Sequence, residues 1–437
     1  MTDTKASSAE PAPLRLGIAG LGTVGAGVLK ILRDQSDLIA ARAGRPVTVS
    51  AVSARSRDRD RGVDISAFTW EDDPVALATR DDIDVFVELM GGTDGPAKAG
   101  TEAAIAAGKD VVTANKAMLA HHGQALAEAA EAKGHVIRFE AAVAGGIPVI
   151  KTLTEGLSAN RVERVMGVMN GTCNYILTRM QSSGLPYETV FDEADKLGYL
   201  EADPELDVGG IDAGHKLALL SSIAFGCRVN FAGVALEGIG SVTIDDIRQA
   251  ADMGFRIKLL GVAQLTGRGL EQRMQPCLVP AASPLGQLEG GTNMVVIEGD
   301  AVGQIVLRGA GAGEGPTASA VLADVIDIAR GIRVSTFGQP AASLRAVRPA
   351  QSAVPAPYYL RMSLLDRPGA LAKVAAELGD AGVSIDRMRQ YGHEDTTAPV
   401  LIVTHRTTRS AIDTAVEGMS ATGVVAGQPV VLRIEQV

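Results

Sequence analysis

The chain is poor in several things that define whole classes of protein. Aromatic residues make up 3% of its 437 positions, with a single Trp, and the formal net charge is −10. A nucleic-acid binder needs a basic footprint and stacking platforms, so that class is set aside. The three cysteines, Cys173, Cys227 and Cys277, are few, odd in number and far apart, with no CxxC. This excludes a disulfide framework and a cysteine-based zinc site. The six histidines show no HExxH spacing. No stretch of 18 residues is both apolar and free of charge, so no transmembrane helix is expected. Met1 to Pro13 is polar and lacks an apolar signal-like core. Residues 1–13 therefore read as a disordered tail, and a cytoplasmic location is expected.

Hydrophobic residues are plentiful at 46%, charged residues ordinary at 21%, and glycine high at 50 residues. Such a chain can bury sizeable cores, and its length suggests about three domains. From Leu14 short apolar runs alternate with longer helical patterns. Strands are expected at Leu16–Ala19, Val47–Ser53, Ile83–Leu89, Asp110–Thr113 and Val136–Phe139. Helices are expected at Val28–Ala41, Pro96–Ala107 and Leu119–Ala132. This rhythm predicts a parallel sheet with right-handed crossovers. After Gly145-Gly146 it changes. Helical segments dominate from about Pro186 to Ala250, Lys258 to Val306 reads as strands, and a helix follows a glycine-rich turn at Thr317–Arg330. Val347 to Pro357, rich in Pro and Ala, reads as a linker. The remainder follows a β-α-β-β-α-β order, with strands near Tyr359–Leu365, Ile385–Tyr391, Pro399–Thr404 and Val430–Ile434. Its helices are expected near Ala370–Ala381 and Arg409–Met419.

The sharpest local signal is Gly20-Leu21-Gly22-Thr23-Val24-Gly25, directly after a strand and opening a helix. The first glycine permits a tight turn and the second lets backbone approach a pyrophosphate. The third lets helix pack on strand, and the helix N-terminus then holds the phosphates. At the end of the second strand, where an NAD enzyme usually carries an acid, stand Arg55 and Arg57. They suit a 2′-phosphate and so NADP, or form an exposed basic loop balanced by Asp58 and Asp60. Thr113-Ala114-Asn115-Lys116 follows another strand. Its lysine is either a ligand-crevice residue or an exposed strand-end lysine. Between Glu201 and Asp212 lie five carboxylates in twelve residues, followed by Lys216. Asp212 and Lys216 share a helix face, as a solvated salt bridge or as part of a site for a cationic amine with a proton-transfer lysine. Cys173, in Asn170-Gly171-Thr172-Cys173-Asn174-Tyr175, reads as a small buried residue rather than a nucleophile.

These segments together resemble the homoserine dehydrogenases over nearly the whole chain. The resemblance is carried by GLGTVGAGV at 20–28, TANK at 113–116, EAAVAGGIP at 140–148 and NGTCNYILT at 170–178. It continues through LGYLEADPELDVGGIDAGHK at 197–216, IKLL at 257–260 and GAGAGEGPTASAV at 309–321. The C-terminal segment resembles an ACT domain, with Asp366-Arg367-Pro368-Gly369 as its ligand loop. The resemblance implies an α/β protein of three parts. They are a Rossmann-type dinucleotide-binding domain at 14–140, to which the helix 317–330 returns, an α+β catalytic and dimerisation domain at 141–316, and a ferredoxin-like ACT domain at 358–437.

It further implies reversible NAD(P)H-dependent reduction of L-aspartate 4-semialdehyde to L-homoserine, in threonine, methionine and isoleucine biosynthesis. Lys216 is then the catalytic proton-transfer residue and Lys116 a second lysine. Glu201 and Asp212 bind the amino acid group, with Asp207 close by. The cofactor is NADP, with NAD as the alternative, held by Gly20, Gly22, Thr23, Val24, Gly25, Thr113, Lys116, Gly198, Gly311 and Gly313, with Arg55 and Arg57 at the 2′-phosphate. Glu140, Val143, Gly145 and Ile147 match a structural sodium site made largely of backbone carbonyls. A homodimer or homotetramer is implied, with strands of 258–306 pairing across a two-fold axis, and threonine as the ACT effector. Glu314 departs from the family's second glycine-rich turn. Two other chemistries compete: an acylating semialdehyde dehydrogenase using Cys173, and a non-catalytic nucleotide and amino-acid sensor.

Overall fold

The computed structural model describes residues 11–200, 203–391 and 396–436. The chain forms two compact units, and neither is one continuous stretch. The first gathers the described residues of Met1–Val165, His215–Ala232 and Val295–Val347. The second gathers those of Met166–Gly214, Gly233–Met294 and Arg348–Val437.

In the first unit six strands form one sheet: β1 (Leu14–Ala19), β2 (Val47–Ser53), β3 (Thr69–Trp70), β4 (Val85–Glu88), β5 (Asp110–Thr113) and β6 (Ile137–Arg138). Their order is β3-β2-β1-β4-β5-β6, and every pair is parallel. This is the doubly wound dinucleotide-binding order, whose switch point lies between β1 and β4. The four residues of β4 and of β5 are all buried, as a sheet covered on both faces requires. The first helix begins earlier than the apolar periodicity suggests, at Thr23, and ends at Asp34. Gln35 leaves the helical region at φ −130°, and a second helix runs Ser36–Ala43. Glycines at 25 and 27 hide the helix start from a propensity reading. The structure needs them small. A Cβ on Gly25 would strike the Gly20 carbonyl, and one on Gly27 would lie 2.9 Å from the Glu314 carbonyl. The helix Glu314–Ala329 therefore packs closely on Thr23–Asp34.

In the second unit Phe255–Thr266 and Gly269–Pro280 form a long antiparallel hairpin. The C-terminal segment has the expected β-α-β-β-α-β order, with strands Tyr358–Leu365, Ile385–Gln390, Thr397–Thr404 and Val425–Ile434 and helices Ala370–Asp380 and Arg409–Ala421. Its four strands pair antiparallel in a ferredoxin-like sheet around a core of Leu360, Val374, Ile402 and Ile412. The last strand also pairs in parallel with Gly269–Pro280, Cys277 opposite Arg433 and Leu278 opposite Ile434. One continuous sheet thus joins the hairpin to the ACT-like segment. The Pro/Ala stretch read as a linker is pinned along its length. Leu270 N–H donates to the Arg348 carbonyl (3.0 Å), Val354 N–H to Glu271 (2.9 Å) and Ala356 N–H to the Thr407 carbonyl (3.0 Å). Composition signalled a tether because it cannot show these non-local bonds.

Candidate active site

The turn between β1 and its helix sits at the switch point. Gly20 has φ +102°, and a Cβ there would collide with the backbone of Leu89 and Met90. A Cβ on Gly22 would meet nothing within 4 Å, so this side is open for close approach of a ligand. Gly22 is the N-cap residue and has no side chain to accept from the first N–H groups of the helix. A helix N-terminus left in this state favours a phosphate.

A cavity of about 440 Å³ opens beside this turn, lined by Gly20, Gly22, Ser53, Arg55, Arg59, Arg61, Asp72 and Gly91 among others. Arg55 is among the residues that line it. Arg57 lies instead over the Trp70 ring at 6.0 Å, with the Arg61 guanidinium at 5.9 Å from the same ring. Arg59 and Arg61 were not foreseen. Arg61 ties the loop to the glycine turn, donating to the carbonyls of Leu21 (3.1 Å), Arg59 (2.6 Å) and Ser56. Glu88, fully buried at the end of β4, accepts from the N–H groups of Met90 (2.7 Å) and Gly91 (3.1 Å) and from the Thr113 hydroxyl (2.6 Å). Thr113 therefore shapes the rim through Glu88. Lys116 is the first residue of the helix Lys116–Glu131. Asn115 caps it by accepting from Met118 N–H (3.0 Å), and its amide donates to the Gly92 carbonyl (2.7 Å).

The acidic segment lies mostly in the second unit. Glu201 falls outside the described residues. Asp207, in the short helix Glu205–Val208, and Asp212, in the first turn of Ile211–Phe225, are both buried. One amide nitrogen, Asn170 Nδ2, donates to Asp207 at 2.8 Å and to Asp212 at 3.2 Å. Lys216 follows Asp212 by four residues on the same helix and is 8% exposed. The Cys173 thiol is buried and donates to the Asp207 carbonyl (3.2 Å), a structural placement. Gly198, at φ +74°, follows the helix Tyr187–Lys196. Tyr199 stacks on Tyr175 at 4.4 Å, and its carbonyl accepts from the Thr172 hydroxyl (2.9 Å). Lys258, from the IKLL segment, is buried and donates to Asn174 (2.9 Å) and to the Leu288 carbonyl. Burial pushes its ammonium down to about 8.

The turn at 140–147 is buried except at Gly146, and Ala144 is the one non-glycine with positive φ (57°) among the described residues. Gly145 follows at φ +57° and packs on the Gly311 carbonyl. The Glu140 carboxylate accepts from the N–H groups of Ile150 (2.9 Å) and Lys151 (2.8 Å). Burial and the neighbouring Asp324 raise it to about 7. No cluster of three His, Cys, Asp or Glu suited to a metal occurs among the described residues. Gly313, at φ +118°, is the N-cap of Glu314–Ala329. Glu314 pairs with Lys30 at 2.9 Å, which explains its place in the turn without a role toward the cofactor.

The sheet order, the glycine turn and the open helix N-terminus define a Rossmann-type dinucleotide-binding domain. The homoserine dehydrogenase NAD-binding model matches residues 20–140, the homoserine dehydrogenase catalytic model 148–326 and the ACT model 358–418. The chain is 43% identical to a homoserine dehydrogenase of Neisseria gonorrhoeae, over 97% of this chain and 99% of that one. Its fold matches the crystal structure of a homoserine dehydrogenase from Thiobacillus denitrificans with a TM-score of 0.92 and 41% identity, covering 97% and 99% of the two chains. A hyperthermophilic archaeal homoserine dehydrogenase mutant, solved in complex with NADPH, matches 72% of this chain and 97% of its own with a TM-score of 0.62 and 27% identity. The chain belongs to the homoserine dehydrogenase family. No helix among its described residues is long and apolar enough to cross a membrane.

Proposed function

We propose that the chain interconverts L-aspartate 4-semialdehyde and L-homoserine with NADP(H), a step toward threonine, methionine and isoleucine. The observation that carries this reading is the buried pair Asp207 and Asp212, at the head of the helix that bears Lys216. Two carboxylates held from water suit the substrate's ammonium, and Glu201 extends the set. An ammonium at Lys216 stabilises charge developing on the carbonyl oxygen and delivers its proton, with Lys116 as the second lysine. The bound nicotinamide supplies or accepts the hydride. Gly20, Gly22, Thr23, Val24 and Gly25 hold its pyrophosphate, and Thr113, Gly198, Gly311 and Gly313 shape its surroundings. Arg55 and its neighbours in the cavity favour a 2′-phosphate, hence NADP over NAD. The archaeal relative's complex with NADPH supports the same choice. Purified protein assayed for homoserine oxidation with NADP and NAD in parallel tests the reading. Absence of turnover with both would refute it.

In this reading residues 14–140 and the helix 317–330 bind the dinucleotide, 141–316 catalyse and dimerise, and 358–437 regulate. The left-handed Ala144 supports a structural sodium ion on the carbonyls of Glu140, Val143, Gly145 and Ile147. A non-glycine there costs about 1 kcal/mol and persists where its surroundings hold it. Threonine as effector fits the ACT loop Asp366-Arg367-Pro368-Gly369, which turns at Gly369 (φ +85°) into the helix Ala370–Asp380. A homodimer or homotetramer in the cytoplasm completes the proposal.

A further inference from the structure

Asn170 holds an unusual place among the buried polar groups of the second unit. It is 4% exposed, and both ends of its side chain are engaged. Its Oδ1 accepts from Cys173 N–H at 2.8 Å and so caps the helix Gly171–Ser183. That bond fixes which end of the amide is oxygen. The nitrogen must then face Asp207 and Asp212, and its two hydrogens serve one carboxylate each, at 2.8 Å and 3.2 Å. Two buried carboxylates that share one donor repel each other. A neutral amide bonded to both carboxylates holds them side by side.

We infer that Asn170 is a positioning residue for substrate: it holds the Asp207 and Asp212 carboxylates side by side, in the arrangement that receives the ammonium of the amino acid. This rests on the proposed role of those carboxylates in binding homoserine. The same amide links the cap of Gly171–Ser183 to the start of Ile211–Phe225, so the pair is set by the rigid ends of two helices.

Asn170→Asp separates the two duties. Asp is as good a helix cap as Asn, so the bond from Cys173 N–H survives. The donor is lost and a third carboxylate faces the pair. The Michaelis constant for L-homoserine should rise about tenfold or more, in line with a lost charge-assisted bond and added repulsion. The constant for NADP should stay within about twofold, and the thermal midpoint should be nearly unchanged. Asn170→Ser, with one O–H donor, should fall between wild type and Asn170→Asp. It also serves if the aspartate variant fails to fold. A folded variant of either kind with an unaltered homoserine constant overturns the inference. So does a parallel rise in both constants with a lowered midpoint, the mark of a purely structural residue. Asp212→Asn is the control: an unchanged homoserine constant there would overturn the site reading itself. A raised constant there beside an unaltered one in the Asn170 variants would overturn only the role of Asn170.

Discussion

Lys216 and Arg55 carry the two predictions that single side chains allow. Lys216→Ala removes the proposed proton donor and leaves the glycine turn untouched. Turnover should fall by about 10² to 10⁴ while NADP still binds, as followed by cofactor fluorescence. Wild-type turnover in that variant would remove Lys216 from the mechanism. The cofactor prediction is sharpened by the structure. Arg55 lines the cavity beside Gly22, whereas Arg57 stacks on Trp70. Arg55→Ala should raise the Michaelis constant for NADP about tenfold relative to that for NAD, the effect of one charge-assisted phosphate bond. Arg57→Ala should shift the two cofactors far less. Equal shifts for NADP and NAD in Arg55→Ala would show that the loop serves no 2′-phosphate. Residue chemistry was legible in the sequence where it is local: the glycine turn, the basic strand end and the Asp212–Lys216 spacing. Asn170 and Arg61 were not, because their partners lie 37 to 42 and 40 residues away and no periodicity encodes such bonds.

At the level of elements, alternating apolar runs revealed the parallel sheet and the β-α-β-β-α-β tail, since burial on both faces writes itself into β4 and β5. Helix starts were less legible where glycine serves packing, as at Thr23–Gly27 and Glu314–Pro316. The helix Glu314–Ala329 brings a further consequence through Asp324. This carboxylate is buried beside Glu140 and accepts its N–H at 2.8 Å, with Arg138 and Lys151 near. Burial raises Asp324 to about 6, while burial and the charge of Asp324 raise Glu140 to about 7, from ordinary values of 3.8 and 4.5. The folded state therefore keeps protons that the unfolded chain has released. Stability from these groups is full below about pH 4 and falls as pH rises toward 7. Chemical unfolding at several pH values across that window should show the decline. Asp324→Asn, which removes the repulsion on Glu140, should make the slope shallower. A slope unaffected by Asp324→Asn would assign the pH dependence to other groups.

For the molecule as a whole, the question is whether the ACT-like segment is separable. Composition favours separation, because the Pro/Ala stretch carries no catalytic motif. The structure opposes it. Arg273, on the strand Gly269–Pro280, is buried between Glu271 (2.8 Å) and Glu435 (2.6 Å), and Glu435 also accepts from Arg433. Arg433 in turn donates to the Val354 carbonyl (2.7 Å) and the Tyr358 hydroxyl (3.2 Å). Truncation after Val347 removes Glu435, Arg433 and Val354 and bares one edge of the strand that the last strand pairs with. Losing one member of a buried ion network costs about 3 to 5 kcal/mol, a large part of the stability of an ordinary protein. The truncated chain should thus unfold at lower temperature and aggregate, rather than remain a fully active enzyme deaf to effector. Regulation is better tested within the loop. Asp366→Ala lies away from the Arg273 network and should abolish inhibition by millimolar threonine while leaving basal turnover unchanged, because an effector acts only through its preference for one state. Intact protein indifferent to threonine would leave the segment as structure alone. A stable, active truncation would show that the Arg273 network contributes little, and that the continuous sheet is no obstacle to independent folding.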